Sequence, residues 1–224
     1  MKKFTFLLIF SLLACFNAQA STILGSSISS PQGNFGFPND LNNAVDQSGL
    51  SANYISGVTD FDTFVAGTTH DDTNSLNSGF TSSSAPPGQF TFDLGTTFTV
   101  DAFAFWEAAN PGSLTGFDLY ADTDSIFGNG GLTLIGNFNP TGGGFGAPQP
   151  SSAQVFGFSS TTTQYLHIDV LSIQGGSNLI PGVGEIAFRG SSPIPEPTTM
   201  LLFGFGLIGF AGVSRRKNSS NSEP

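Results

Sequence analysis

Residues 90–106 read FTFDLGTTFTVDAFAFW, and this stretch decides the fold. Its first part, Phe90–Leu94, alternates apolar and polar residues, and Gly95 is predicted to end that strand. Its second part, Phe98–Trp106, is apolar on both faces. One predicted face carries Phe98, Val100, Ala102, Ala104 and Trp106, and the other carries Phe103 and Phe105. A strand that is apolar on both faces is typical of a central strand covered from two sides.

Further strand candidates follow along the chain, each a short apolar or period-two stretch. They are Phe117–Ala121, Leu132–Phe138, Gln154–Phe158, Tyr165–Val170 and Glu185–Arg189. The segments between them are rich in Gly, Pro, Asn, Asp and Ser, and no helix-period stretch of about 12 residues occurs between them. Short strands separated by turns predict an all-β fold, an antiparallel β-sandwich or jelly roll.

The charge of the predicted folding body, residues 21–192, limits its partners. The body contains 14 acidic residues and one basic residue, Arg189, which gives a formal charge of −13. A body with one cation cannot neutralise a row of phosphates, so nucleic acid is excluded as a partner. Low charge with much Gly and Ser also argues against a helical bundle, and the 24 Phe of the chain argue against disorder. The length of this body is sufficient for one domain.

The amino terminus has the organisation of a secretory signal peptide. Lys2 and Lys3 precede the apolar run Phe4–Leu13, and the small-x-small sequence Ala18-Gln19-Ala20 follows. This pattern predicts removal of residues 1–20 by signal peptidase, which leaves a body without cysteine. An alternative stays open, because Leu12-Leu13-Ala14-Cys15 resembles a lipoprotein box in which Cys15 is lipidated.

The carboxyl terminus, residues 193–224, has three features in a fixed order. Pro195, Glu196 and Pro197 are followed by the uncharged, mostly apolar residues 198–214 and then by Arg215, Arg216 and Lys217. As a helix, residues 198–214 span about 26 Å, enough to cross a bilayer core. Basic residues stay on the cytoplasmic side, so the body is predicted to lie outside the inner membrane. A polar tail, Asn218–Pro224, ends the chain.

This ending resembles the PEP-CTERM sorting signal of exported proteins in Gram-negative bacteria that make extracellular polysaccharide. The resemblance implies an exosortase as a partner and cleavage near Pro195-Glu196-Pro197. It also implies a transient stay in the inner membrane and final location at the cell surface or outside the cell.

The body resembles galactose-binding-like, discoidin-type jelly rolls at three points. The first is the Asp loop within 43–51, and the second is the pair Phe90–Gly95 and Phe98–Asp101. The third is Tyr165–Val170 together with the closing strand within 184–190, which carries a Glu. The resemblance implies a jelly roll and carbohydrate binding as the activity.

The same resemblance implies one structural calcium ion, for which Asp46, Ser51 and Glu185 are the expected ligands. Calcium prefers carboxylate, hydroxyl and carbonyl oxygens, and the loop Asp46–Ser51 offers all three. The alternative is an Asx turn at Asp46 and a solvated Glu185. The Asp122-Thr123-Asp124 sequence lacks the remaining EF-hand ligands and is predicted to be a hairpin loop.

Carbohydrate binding requires an apolar platform and hydrogen-bond donors. Trp106 and Tyr54 are the candidate platforms, and His167 and Arg189 are the candidate donors. The alternatives are core packing for Trp106 and contact with a neighbouring strand for His167. With one Arg and no Lys in the body, the expected ligand is a neutral or calcium-bridged sugar.

No catalytic pattern is present in the sequence. Two His, no cysteine in the predicted mature body and no Gly-x-Ser-x-Gly motif leave no recognisable metal or nucleophile site, and no acidic pair is singled out. The sequence therefore predicts a non-catalytic, exported adhesion or carbohydrate-binding protein associated with exopolysaccharide. A purely structural matrix component and an extracellular hydrolase are the alternatives. Asp60-Phe61-Asp62 and His70-Asp71-Asp72 are predicted to be solvated loops.

Overall fold

The computed structural model of the protein describes residues 21–29, 41–71, 88–107, 113–141, 150–174 and 182–191. The predicted signal peptide, with Cys15, and the segment 193–224, with its predicted membrane helix, lie outside these residues. Within the described ranges, no helix is long and apolar enough to cross a membrane.

The described part of the body is built almost entirely from antiparallel strands, as predicted. The strands are β1 (Thr22–Leu24), β2 (Ser27–Ser29), β3 (Thr69–His70), β4 (Gln89–Trp106), β5 (Leu114–Asp122), β6 (Thr133–Phe138), β7 (Ser151–Ser152), β8 (Gln154–Ile173) and β9 (Glu185–Ser191). The larger sheet has the strand order β1-β9-β4-β8-β5-β6, with β2 paired to β4, while β3 and β7 pair separately. A 3-10 helix, Leu41–Ala44, and one α-helix, α1 (Phe61–Gly67), complete the described elements.

The central position predicted for residues 98–106 is confirmed, but two predicted strand ends are wrong. Gly95 does not end a strand: β4 continues through it to Trp106, and Gly95 adopts a positive φ of 80° where the pairing with β8 shifts between Asp93 and Phe98. Similarly, the stretches predicted as two strands within 154–170 form the single strand β8 of 20 residues. At Gly95 the pairing shifts but β4 does not end, because glycine accepts the left-handed conformation that the irregularity requires.

The predicted faces of β4 also need correction. A second irregularity lies between Val100 and Ala102, where β4 has one extra residue relative to β9 and the pairing with β8 also shifts. The extra residue reverses the alternation of side chains. Val100 therefore joins Phe103 and Phe105 in one cluster, while Ala104 and Trp106 pack on the opposite face.

Two apolar clusters result. The larger one lies inside the sandwich and includes residues from both halves of β4 and from β8. Phe92 from the first half of β4 contacts Phe188 of β9 at 5.3 Å between ring centroids. The smaller one lies between the outer face of β4 and β9 and the helix α1, and it contains Trp106, Phe61 and Tyr54. Strand β9 therefore packs against an apolar cluster on each of its two faces, with Ile186 and Phe188 on one and Ala187 on the other.

The sequence Asp60-Phe61-Asp62 is not a solvated loop but the start of α1. Asp60 is the N-cap residue, and its carboxylate accepts a hydrogen bond of 2.8 Å from the backbone N–H of Thr63. A hydrogen bond with the Thr63 side chain and this backbone bond both lower the pKa of Asp60. Phe61 is fully buried against the smaller cluster. A helix of seven residues is too short to give a clear periodic signal, which explains why the pattern was not recognisable.

Candidate functional site

Strand β9 begins with a buried carboxyl group that lies against the loop 46–51. Glu185 is fully buried. Its Oε2 accepts a hydrogen bond of 3.2 Å from the backbone N–H of Gln47. Its Oε1 is also buried and has no hydrogen-bond partner among the described residues. The alternative of a solvated Glu185 is therefore wrong. Its buried Oε1 lacks, among the described residues, the hydrogen-bond partner that buried polar atoms normally have.

The loop itself has an unusual backbone. Gln47 has a positive φ of 70° and Gly49 a positive φ of 83°, so two left-handed residues occur within three positions. The Asx turn expected as the alternative for Asp46 is present, since Asp46 Oδ1 accepts a hydrogen bond of 2.8 Å from the N–H of Ser48. The Gln47 side chain completes the loop, because its Oε1 accepts the N–H of Tyr54 at 2.8 Å.

Electrostatics connect the two carboxyl groups. Burial raises the pKa of Glu185 well above its ordinary value, the N–H of Gln47 opposes this, and the charge of Asp46 raises the pKa further. Tyr54 responds to the same charges: burial raises the pKa of its hydroxyl, and Glu185 and Asp46 add to the effect. Glu185 and Tyr54 therefore share one environment, in which burial is the main cause of the raised pKa values and the charge of Asp46 adds to it.

The donor set is suited to a hard cation such as calcium. An unpartnered buried carboxylate oxygen beside a second carboxyl group is stabilised when a cation lies between them. Ser51, the third expected ligand, has its hydroxyl oxygen in a hydrogen bond of 3.0 Å from the N–H of Thr69, which leaves one lone pair. No three His, Cys, Asp or Glu side chains converge anywhere in the described ranges, so a cation here needs carbonyl and hydroxyl oxygens as well.

The two candidate aromatic platforms are buried. Trp106 has no exposed surface, and its indole N–H donates a hydrogen bond of 3.1 Å to the carbonyl of Thr68 at the end of α1. Tyr54 is 6% exposed and contacts Phe64 edge to face at 5.5 Å. Trp106 therefore packs in the core, which was the alternative expectation. Both rings belong to the smaller cluster, against which Leu50 of the loop packs, and neither faces solvent.

His167 lies in the half of β8 that pairs with β5, away from Glu185. It is fully buried, and Thr91 Oγ1 lies 2.9 Å from its Nδ1, so it contacts a neighbouring strand, which was the alternative expectation. Its Nε2 is 3.6 Å from Asp122 Oδ2, and the ring of Phe127 covers it. Burial lowers the pKa of His167, an effect that the nearby Asp122 partly opposes. Asp122 ends β5 and Phe127 lies between β5 and β6, which matches the hairpin predicted there.

Arg189, the other candidate donor, is occupied by structural contacts. Its Nε donates to Asp101 at 2.7 Å and its NH1 to Asp62 at 3.1 Å. The guanidinium group also lies 5.6 Å above the ring of Phe61. The hydrogen bond to Asp101 is the main reason that the pKa of Arg189 is raised. The one cation of the body therefore connects β9, β4 and α1.

Three features of this region were not recognised in the sequence. The first is His70, for which the prediction of a solvated loop is wrong: it lies in β3, is fully buried and contacts the loop. The second is Gln47, which connects Glu185 to Tyr54. The third is the turn Ile55–Thr59, in which Ile55 is 67% and Val58 70% exposed. The Gly57 of that turn, with a φ of 75°, was the available signal, since glycine at this position is typical of a type II turn.

A carboxylate pair lies on the outer face of the sandwich. Asp118 of β5 and Asp169 of β8 are directly opposite in register. The Tyr120 hydroxyl donates to Asp118 at 3.3 Å. Burial is the main cause of a raised pKa for Asp169, and the charge of Asp118 adds to it. The sequence alone singled out no acidic pair, because cross-strand register is not visible in it.

The comparisons with known proteins identify the carboxyl-terminal segment. The PEP-CTERM protein-sorting motif matches residues 193–217, which confirms the predicted resemblance. The motif marks export and sorting to the cell surface in Gram-negative bacteria. No curated protein matches the sequence.

Solved structures with a similar fold include carbohydrate-binding modules. The family 32 module of NanJ from Clostridium perfringens, in complex with galactose, has a TM-score of 0.47 and 13% identity, and the match covers 75% of this chain and 98% of that one. The module CpGH89CBM32-5 from the same organism, in complex with GalNAc-β-1,3-galactose, has a TM-score of 0.45 and 16% identity, covering 74% and 94%. A chitosan-binding module from Paenibacillus sp. IK-5 has a TM-score of 0.46 and 15% identity, covering 75% and 94%.

Proposed function

We propose that this protein is a non-catalytic carbohydrate-binding protein of the cell surface or extracellular matrix. The sorting motif at 193–217 supports its export. The observation that carries the binding proposal is the turn Ile55–Thr59, which presents two aliphatic side chains to solvent directly after Tyr54. Processing by an exosortase and association with exopolysaccharide belong to the same proposal.

The turn is rigid enough to act as a preformed contact. The N–H groups of Val58 and Thr59 both donate to the carbonyl of Ile55 at 3.0 Å, and the N–H of Gly57 donates to the carbonyl of Ile23 in β1 at 2.8 Å. Ligand sites combine an apolar surface with a few fixed polar groups, and sugar rings have apolar C–H faces that suit such a surface. A surface that is already ordered loses little conformational entropy on binding.

The charge of the body restricts the sugar. Arg189 is engaged by Asp101 and Asp62, so it is not available to an anionic ligand. The body contains no other Arg and no Lys, and its remaining charged residues are acidic. The ligand that fits is therefore a neutral polysaccharide, or an anionic one bridged by a cation.

Calcium is part of the proposal as a structural ion. Asp46 and Glu185 would hold it, with Ser51 as a further oxygen donor. The ion would supply positive charge to the two carboxyl groups and fix the loop 46–51. Because Gln47 connects this loop to Tyr54, the turn that follows Tyr54 would be held in place as well.

The test is glycan binding by the purified protein, with the double variant Ile55→Ser/Val58→Ser. The matched control is Leu171→Ser, which removes an aliphatic side chain that is 52% exposed on β8. We expect the turn variant to lose at least about tenfold in affinity at an unchanged melting temperature, because exposed side chains contribute little to stability. We expect the control to bind like the wild type.

Two outcomes would contradict the proposal. Binding that survives the turn variant would place the ligand elsewhere, and the absence of binding to any neutral glycan would favour a structural matrix component. The opposed Asp118 and Asp169 make a hydrolase the second candidate. Turnover of polysaccharide by the purified protein, abolished by Asp169→Asn, would establish that activity instead.

A further inference from the structure

The imidazole of His70 occupies a position between two glycines. An added Cβ at Gly49 would lie 2.7 Å from His70 Nε2, and one at Gly184 would lie 2.8 Å from His70 Nδ1. Such distances are shorter than real side-chain contacts, so both segments are as close to the ring as glycine allows. Gly49 belongs to the loop 46–51, and Gly184 directly precedes Glu185.

His70 also makes a directed contact with the loop. Its Nε2–H donates a hydrogen bond of 3.0 Å to the carbonyl of Ser48, which specifies the tautomer protonated at Nε2. The backbone follows the same path: the N–H of Asp71 donates to the carbonyl of Gly49 at 2.8 Å, and Leu50 forms an isolated β-bridge with His70. The loop is thus attached at two consecutive residues, His70 of β3 and Asp71.

The Gly184 side is equally close. The N–H of Gly184 donates to the carbonyl of Trp106 at 2.9 Å, and an added Cβ there would also lie 3.0 Å from that carbonyl oxygen. The residue before Glu185 is therefore enclosed between the imidazole and the end of β4. The imidazole thus contacts the segment that leads into Glu185 on one side and the loop of Asp46 on the other.

We propose that His70 is the positioning residue of the cation site formed by Asp46 and Glu185. This inference rests on the calcium site of the proposed function. The imidazole sets the distance between the two segments that carry the carboxyl groups, and its hydrogen bond to Ser48 sets the path of the loop between Asp46 and Ser51. Its size and its N–H donor are both required.

The experiment measures calcium affinity of the purified protein by titration calorimetry, with calcium chloride as the probe. His70→Phe keeps a ring but removes the donor, and His70→Gln keeps a donor on a smaller, flexible side chain. The matched control is His167→Phe, which removes the other histidine of the chain, buried beside Thr91 and Asp122. We expect His70→Phe to weaken calcium binding at least about tenfold.

We expect His70→Gln to restore part of the affinity, and we expect His167→Phe to bind calcium like the wild type even where its melting temperature in chelator is lower. A merely structural role for His70 would lower the melting temperature without changing the affinity. Calcium binding by His70→Phe at wild-type affinity would overturn the inference while leaving the cation site intact. A wild type that does not bind calcium would overturn the cation site as well.

A second variant decides the question where His70→Phe does not fold. Gly184→Ala keeps His70 but requires its imidazole to shift, because the new methyl group would lie 2.8 Å from Nδ1 and 2.9 Å from Cε1 of that ring. We expect the same loss of calcium affinity from this variant. Unchanged affinity in Gly184→Ala would contradict the proposal.

Discussion

The two ends of β9 place charged side chains in opposite situations. Arg189 pairs with two carboxylates, at 2.7 and 3.1 Å, and its guanidinium group lies 5.6 Å above an aromatic ring. Glu185, four residues earlier, is more deeply buried but has one backbone hydrogen bond and one buried oxygen without a partner in the described residues. The first end has its opposite charges in place, whereas one oxygen at the second end has no hydrogen-bond partner within the part of the chain that the structure describes.

The difference indicates how stability and binding are divided in this fold. A charge with all its partners contributes to the folded state and is not available to a ligand. A buried carboxyl group without a partner lowers stability unless something supplies the missing charge. The ion pairs of Arg189 therefore have a structural role. At the Glu185 end, the stability of the folded protein depends on the protonation state of the carboxyl group and on any cation that binds it.

The largest expected effect on the free energy of unfolding concerns Trp106, which lies opposite Glu185 in the pairing of β4 with β9. Trp106→Ala removes a fully buried indole and its hydrogen bond to Thr68. Large-to-small changes of this kind cost about 3–5 kcal/mol in free energy of unfolding. Chemical denaturation measures the loss, and Trp106→Phe, which keeps most of the volume, should lose less. Equal losses in the two variants would show that the cavity is not the cause.

The next effect concerns the Arg189 end. Arg189→Met keeps much of the apolar stem but leaves Asp101 and Asp62 without their cation. Because these carboxylates are partly exposed, we expect a loss of about 1–2 kcal/mol in free energy of unfolding. The variant should keep the wild-type response to calcium. A reduced calcium response would mean that the two ends of β9 are coupled.

The smallest effect is a pH dependence that separates the two ends further. In chelator, the folded-state pKa of Glu185 lies above its unfolded value near 4.5, so the folded protein holds this proton more strongly than the unfolded chain does. The stability contributed by the protonated group is complete below the unfolded pKa and is lost as the pH rises through the folded one. A tenfold difference between the folded and unfolded acid dissociation constants corresponds to about 1.4 kcal/mol.

The measurement is the stability difference between the wild type and Glu185→Gln at several pH values in chelator. The wild type should become less stable relative to the variant as the pH rises from about 5 to about 8. The comparison with the variant removes the contributions of Asp169 and His167, whose pKa values are raised and lowered by burial, respectively. A constant difference would show that Glu185 is ionised throughout.

The fold was predictable because it depends on local alternation. Phe98–Trp106 is apolar on both faces, and the structure places it in the centre of the sheet. The faces within β4 were not predictable, because the extra residue near Asp101 reverses them without a glycine or proline to mark the position.

The site was predictable only in part. Asp46 and Glu185 were selected by resemblance, and the structure brings them into one environment. The burial of Trp106, Tyr54 and His167 depends on tertiary contacts with α1, the loop and the hairpin, which no local pattern specifies. His70 was missed because its role depends on two distant glycines, Gly49 and Gly184.

The most direct test of the account is the melting temperature of the purified protein in chelator and after addition of calcium chloride, measured for the wild type, Glu185→Gln and Arg189→Met. The account predicts that calcium raises the melting temperature of the wild type and of Arg189→Met by several degrees and leaves that of Glu185→Gln unchanged. Equal calcium responses in the wild type and Glu185→Gln, or no response in the wild type, would contradict it.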